Sequence, residues 1–135
     1  MTQELSERPY AESIRSSCSS LAKHDPRCVC ILHAIAKHDS AYASSGIGKK
    51  HNNIGNIRCL KEYGIVPSAC AASLNGNGHF ASFDSVDDSI IALADLYVRK
   101  YAGRSPDDIT RIYAGNPQSS EYWKAVRSCY NLQIL

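Results

Sequence analysis

Apolar residues recur along the first third of the chain with a helical period. Tyr10, Ile14, Cys18 and Leu21 fall at i, i+4, i+8 and i+11, one face of a helix ending near Lys23, with Pro9 suited to its first turn. Asp25-Pro26 restarts the chain. Val29, Leu32, Ile35 and Ala36, continued by Asp39 and Tyr42, share a face of a second helix, the most apolar in the sequence. This helix is expected to run toward Ala43, where Ser44-Ser45-Gly46 stops it, and the basic Lys49-Lys50-His51 follows.

The period breaks at His51-Asn52-Asn53-Ile54-Gly55-Asn56-Ile57-Arg58-Cys59. Asparagine competes with the backbone for hydrogen bonds and glycine costs about 1 kcal/mol inside a helix, so this run reads as a turn. The alternation Ile57, Arg58, Cys59 after it reads as the start of a short strand. Asn75-Gly76-Asn77-Gly78 is the strongest turn signal in the chain, and His79 to Phe83 follows it as a strand. A small β-hairpin or sheet with Ile57–Leu60 is therefore expected. Ser85, with Asp88 three residues on, opens a third helix that buries Ile90, Leu93, Tyr97 and Tyr101 and ends at Gly103. Ser105-Pro106-Asp107-Asp108 opens a fourth, carrying Ile109, Ile112 and Tyr113. After Asn116-Pro117 a last helix, capped by Ser119 or Ser120, carries Tyr122, Trp123, Val126 and Tyr130.

The pattern predicts a mainly α domain with a small β element in its middle, a single unit over residues 1–135. No apolar run approaches the roughly 20 residues that span a bilayer, and residues 1–8 carry no apolar segment of signal-peptide type. A net charge of +2 with interspersed signs argues against a dedicated nucleic-acid binder. Six cysteines, an even number, suit disulfides in an oxidising compartment. Export without a cleaved signal, or delivery inside a virion, reconciles the two observations. Cys59 and Cys70 flank a loop of about ten residues, which a disulfide staples at a gain of roughly 2–3 kcal/mol. That pair is expected to be oxidised, with Cys18 or a member of the Cys28/Cys30 pair meeting Cys129. Zinc on Cys28 and Cys30 with His24 and His33 is a rival, although the spacing of a strong zinc motif is absent.

The order of a helix ending in an acid, an Asn-rich turn, a small β element and three more helices resembles the lysozyme-like superfamily. Within it, the chain looks like the endo-β-N-acetylglucosaminidase domains of the flagellar and autolysin type, and phage lysozyme-like proteins with an Asn-Asn-x-Gly-Asn-Ile segment are similar too. The matching pieces are His51–Arg58, Phe80–Ile90, and Tyr113-Ala114-Gly115-Asn116-Pro117 with Tyr122. The resemblance implies a lysozyme-like α+β domain and a peptidoglycan-directed glycoside hydrolase, of glucosaminidase or muramidase type, that cuts the glycan strand between amino sugars. The family's catalytic Glu falls on Asp39, its neighbouring Trp on Tyr42, its second carboxylate on Glu62 and its glycan-side Tyr on Tyr113. Asp in place of Glu shortens the side chain by one methylene, roughly 1.5 Å of reach, and misplacement on that scale costs about a hundredfold in rate.

In this reading Asp39 is the general acid and Glu62 or the substrate's own N-acetyl group assists. Tyr42 and Tyr113 offer faces to sugar rings, and Asn52, Asn53, Asn56 and His79 line the cleft. No cofactor or metal is implied. The partners are the peptidoglycan strand and other virion or secretion-apparatus subunits, in a phage virion, the periplasm or the extracellular space. Two other classes compete. One is an inactive lysozyme-like protein that binds glycan or builds a virion. The other is a Cys–His peptidoglycan peptidase using Cys28, Cys30 or Cys59 with His79 as base.

Overall fold

The structure is a computed structural model that describes residues 5–23, 25–59, 69–72, 79–109 and 121–130. It is mainly helical. In chain order the elements are α1 (Ala11–Leu21), α2 (Cys28–Ser40), α3 (Gly46–His51), β1 (Ala69–Ala72), β2 (His79–Ser82), α4 (Val86–Leu96), α5 (Pro106–Ile109) and α6 (Glu121–Tyr130). A π-helical turn at Tyr97–Tyr101 prolongs α4.

Helix α2 is the centre of the molecule. Cys28, Cys30, Ile31, Leu32, His33, Ala34, Ile35, Ala36 and Ser40 are all buried, so the helix is covered on most of its circumference. It packs against α1, α3, α4 and α6. Ile90, Leu93, Leu96, Tyr97, Tyr101, Ile109 and Val126 complete the core around it. Two disulfides fasten it to its neighbours, Cys18–Cys28 to α1 and Cys30–Cys129 to α6. Cys30 is thus the member of its pair that meets Cys129. Cys59 is disulfide-bonded too, and it and Cys70 are the two cysteines of the sequence outside the pairs above. The expected caps of α4 and α5 form: Ser85 Oγ accepts from Asp88 N at 3.1 Å, and Ser105 Oγ from Asp108 N at 3.2 Å, while Ser119 and Ser120, expected to cap the last helix, lie outside the described residues.

Three expectations are corrected. Helix α2 ends at Ser40 and does not reach Ala43. Ala41, Tyr42 and Ala43 follow with φ of 49°, 57° and 62°, three consecutive left-handed residues without a glycine among them. Hydrogen bonds hold this costly turn: Tyr42 N donates to Ala36 O at 2.9 Å, Ala41 N to Lys37 O at 3.1 Å, and Ala43 N to Ser40 Oγ at 2.8 Å. Next, Gly46–His51 forms a short helix where the sequence suggested only a stop and a basic run. Finally, β2 pairs with Ala69–Ala72, antiparallel with Ala69 opposite Ser82 and Ala72 opposite His79. Of the expected Ile57–Leu60 strand, the described residues 57–59 contribute a single bridge, Arg58 to Phe80, with Ala81 N donating to Ile57 O at 2.9 Å, and Leu60 lies outside the described residues. Asn56, left-handed at φ 49°, bends the chain immediately before that bridge.

The short helix α3 lies so close to the end of α2 that its middle has no room for a side chain. A Cβ built on Gly48 would stand 2.4 Å from Ser40 Cβ and 2.9 Å from Asn53 O. Neither neighbour is the far end of a flexible side chain, so the backbone itself must shift. Gly48→Ala is expected to lower stability by about 2 kcal/mol or more, despite alanine's better helix propensity, as overpacking does. Urea unfolding followed by circular dichroism checks it; an unchanged or raised midpoint would show that α3 can move off α2.

Candidate functional site

The resemblance implies that the Asn-rich turn is a polar lining for a cleft. Most of its polar groups are turned inward instead. Asn53 is 0% exposed, and its amide is spent on backbone: Nδ2 donates to Ile57 O at 2.9 Å and to Ala81 O at 2.8 Å, while Oδ1 accepts from Ile57 N at 2.8 Å. The side chain holds the turn together and joins it to β2. It offers nothing to a ligand, and the expectation that Asn53 lines a cleft is corrected. Asn52 caps α3 in the left-handed conformation, where asparagine is tolerated better than most residues, and its Nδ2 donates to Phe83 O at 3.0 Å. Its amide too is engaged by backbone.

Ile54, next along, is held at both its N–H and its carbonyl. Its N–H donates to Ser89 Oγ at 3.1 Å, and its carbonyl accepts from Ser40 Oγ at 2.5 Å. Ser40 and Ser89 did not stand out in the sequence. A serine late in an apolar helix and another on an otherwise apolar helix face were the available signals, because a buried hydroxyl must find a partner.

Asp39 and Asn56 are the pair the fold leaves chemically open. Asn56 Nδ2 donates to the backbone carbonyl of Asp39, which brings the Asn turn against the C-terminal end of α2. Asp39 keeps part of its surface, but its Oδ2 is shut off from solvent with no hydrogen-bond partner among the described residues, and Asn56 Oδ1 is in the same state. Burial pushes the Asp39 carboxyl up to about 8. At neutral pH this side chain is a carboxylic acid, able to donate a proton. Unsatisfied buried polar atoms are rare in folded proteins and are reasonable markers of a site that a ligand completes.

Tyr42 does not join them. It is 9% exposed, its hydroxyl meets His33 Nδ1 at 2.8 Å, and its ring packs edge-on against that imidazole at 5.7 Å. Its ring is not available to a sugar, because the left-handed turn after Ser40 sends it back along α2 and not forward with Asp39. Of the other expected site residues, His79 lies in β2 with its side chain outside the described part, and Glu62 and Tyr113 lie outside the described residues. Cys28 and Cys30 are in disulfides and Cys59 is disulfide-bonded, so none is a thiolate for zinc or for nucleophilic attack in this state. Comparison of the chain with protein-family models, curated proteins and solved structures gives no match.

Two predictions separate the structural from the chemical residues. Asn53→Asp places a second oxygen where an NH2 group faced the Ile57 and Ala81 carbonyls, and it is expected to cost about 3 kcal/mol or more, each buried group left unpaired costing roughly 1–3 kcal/mol. A urea midpoint within error of wild type would contradict this assignment. For Asp39 the prediction is a pH dependence. The folded chain keeps the proton up to about pH 8, whereas the unfolded chain releases it near 3.8, so stability falls as pH rises between those values. His33 works in the opposite sense: burial and then the Arg8 charge lower it to about 4, so its contribution is complete above 6.5 and is lost toward acid. Between pH 6.5 and 8 only Asp39 changes of the two. Wild type should lose on the order of 1–2 kcal/mol there, and Asp39→Asn, neutral throughout, should not. Thermal unfolding at both pH values for both proteins makes the comparison.

Proposed function

We propose that the protein is a glycoside hydrolase acting on an amino-sugar polymer of the peptidoglycan type, with Asp39 as its general acid. The observation that carries this reading is the Asp39 carboxyl, protonated at neutral pH by burial and held at the end of the central helix beside Asn56. Cleavage of a glycosidic bond needs a group that gives its proton to the leaving oxygen as the bond to the anomeric carbon breaks. A carboxyl with a pKa near the working pH meets that need. Once deprotonated it is the base that can activate the water completing hydrolysis. The developing positive charge on the sugar needs a second group. A 2-acetamido sugar carries its own in the acetamide oxygen, and the resemblance to glucosaminidase domains suggests Glu62 as the protein's contribution. The unsatisfied Asn56 Oδ1 suits a donor on the sugar, a hydroxyl or the acetamide N–H. The disulfides fit an oxidising compartment, where such a polymer is found. A virion or secretion-apparatus setting is part of the proposal.

Purified peptidoglycan incubated with the protein tests it, with new reducing ends and released muropeptides as the readout. Wild type is expected to release products at a rate whose alkaline limb lies near pH 8. Asp39→Asn should lower that rate by roughly 10²–10⁴-fold, the usual size of general acid catalysis. Reducing ends on N-acetylglucosamine assign a glucosaminidase, and those on N-acetylmuramic acid a muramidase. Binding to the polymer without products from wild type or from Asp39→Glu would replace the hydrolase by a glycan-binding protein. New peptide ends would replace it by a peptidase.

A further inference from the structure

On the side of α2 away from Asp39 there is a concavity whose chemistry the proposed reaction does not use. It encloses about 160 Å³ between the N-terminal turn, α2 and α6. Sites for drug-sized ligands run to roughly 300–1,000 Å³, so this one takes a small ion or one end of a larger molecule. Arg8 enters it from the N-terminal turn, Lys37 and His38 from α2, and Ser128 from α6, with His33 and Tyr42 in its wall. No aspartate or glutamate lines it among the described residues.

The cations belong to separate elements that converge on one space. Burial and then the Arg8 charge lower His33, and at Tyr42 the Arg8 charge opposes the larger upward push of burial, so Arg8 stands close to both. Burial lowers His38 first and the neighbouring Lys37 charge lowers it further, with Glu121 acting in the opposite sense. Arg8 and Lys37 make no ion pair with any described residue. Placing like charges round a concavity costs free energy through their repulsion, and an anion seated among them reverses the sign. The available hydrogen-bond groups have the same bias. Lysine and arginine only donate, Ser128 already gives its proton to Ala125 O at 2.8 Å, and Tyr42 is joined to His33.

We propose that this cavity binds a small oxyanion, a phosphate or carboxylate group, held by Arg8, Lys37 and His38 between the N-terminal turn, α2 and α6. The site is separate from Asp39. Consecutive helical residues are about 100° apart, so Asp39 lies roughly half a turn round α2 from Lys37. The proposal therefore does not rest on the glycosidase reading. A planar guanidinium and an ammonium facing one anion give a charge-assisted pair of contacts, with arginine supplying the two-pronged one. Phosphate esters and free carboxylates, including those at the ends of peptides, share this chemistry.

Inorganic phosphate and acetate, titrated separately at constant ionic strength in a chloride background, test the idea with the intact disulfide-bonded protein. Ring signals of His38 and the backbone amide signals of Arg8 and Lys37 are followed by NMR. Saturable shifts at millimolar concentration are expected with at least one probe, together with a rise in the His38 pKa, because a bound anion favours its charged form. Saturation by phosphate alone assigns a phosphate group, and saturation by acetate assigns a carboxylate. Arg8→Gln and Lys37→Gln, both at exposed positions, should each weaken binding about tenfold, while Glu121→Gln should strengthen it. The same spectra report whether each variant is folded. Shifts that stay linear with both probes, or that persist unchanged in Arg8→Gln and Lys37→Gln, overturn the proposal.

Discussion

One buried amide organises the middle of this protein. Asn53 replaces backbone partners for three groups at once, two carbonyls and an N–H, and it does so with no surface exposed to water. Ile54, next along, is gripped by Ser40 from α2 and by Ser89 from α4. Asn52 reaches the residue that follows β2 through Phe83 O, and Asn56 reaches the end of α2 through Asp39 O. A segment of five residues therefore touches α2, α3, β2 and α4. In water each of these polar groups would be satisfied by solvent. Inside, each depends on the others, and that mutual dependence makes the turn rigid.

Rigidity there depends in turn on α2. Cys28 and Cys30 are two positions apart, which on a helix puts them about 200° apart, so one faces α1 and the other α6. The two bridges close loops of very different length, with separations of 10 and 99 residues. In the chain-entropy picture they constrain the unfolded chain by roughly 3 and 4–5 kcal/mol. A helix held from both sides can keep an uncomfortable group at its end. Asp39 is such a group, since a carboxyl without a partner for one oxygen is costly to bury. The three left-handed residues after Ser40 add to that cost.

Charge is divided between the two sides of α2. Lys37 stands two positions from Asp39 in sequence, and a nearby cation would favour ionised Asp39 and lower its pKa. The Asp39 shift nevertheless has burial as its only cause and goes upward. The helix explains this, because consecutive side chains point in different directions and the cations look toward the cavity beside α6. A neutral acid and a cluster of cations are kept apart by the width of one helix.

What could be read from the order of residues was five of the helices, the caps of α4 and α5, the mainly helical class, the small β element, and the position of an acid at the end of the most apolar helix before an Asn-rich turn. These depend on spacing and local propensity, which a linear pattern records. Ser85 and Ser105 cap their helices because capping involves residues three apart. The partner of β2, the end of α2 at Ser40, the inward aim of Asn53 and the retreat of Tyr42 onto His33 were decided only in three dimensions. Each turns on a hydrogen bond between groups far apart in sequence or on a left-handed turn that alanine and tyrosine do not advertise. An asparagine amide suits a backbone carbonyl as well as a sugar hydroxyl. Which of the two it serves depends on whether water can reach it, and burial is a property of the folded chain.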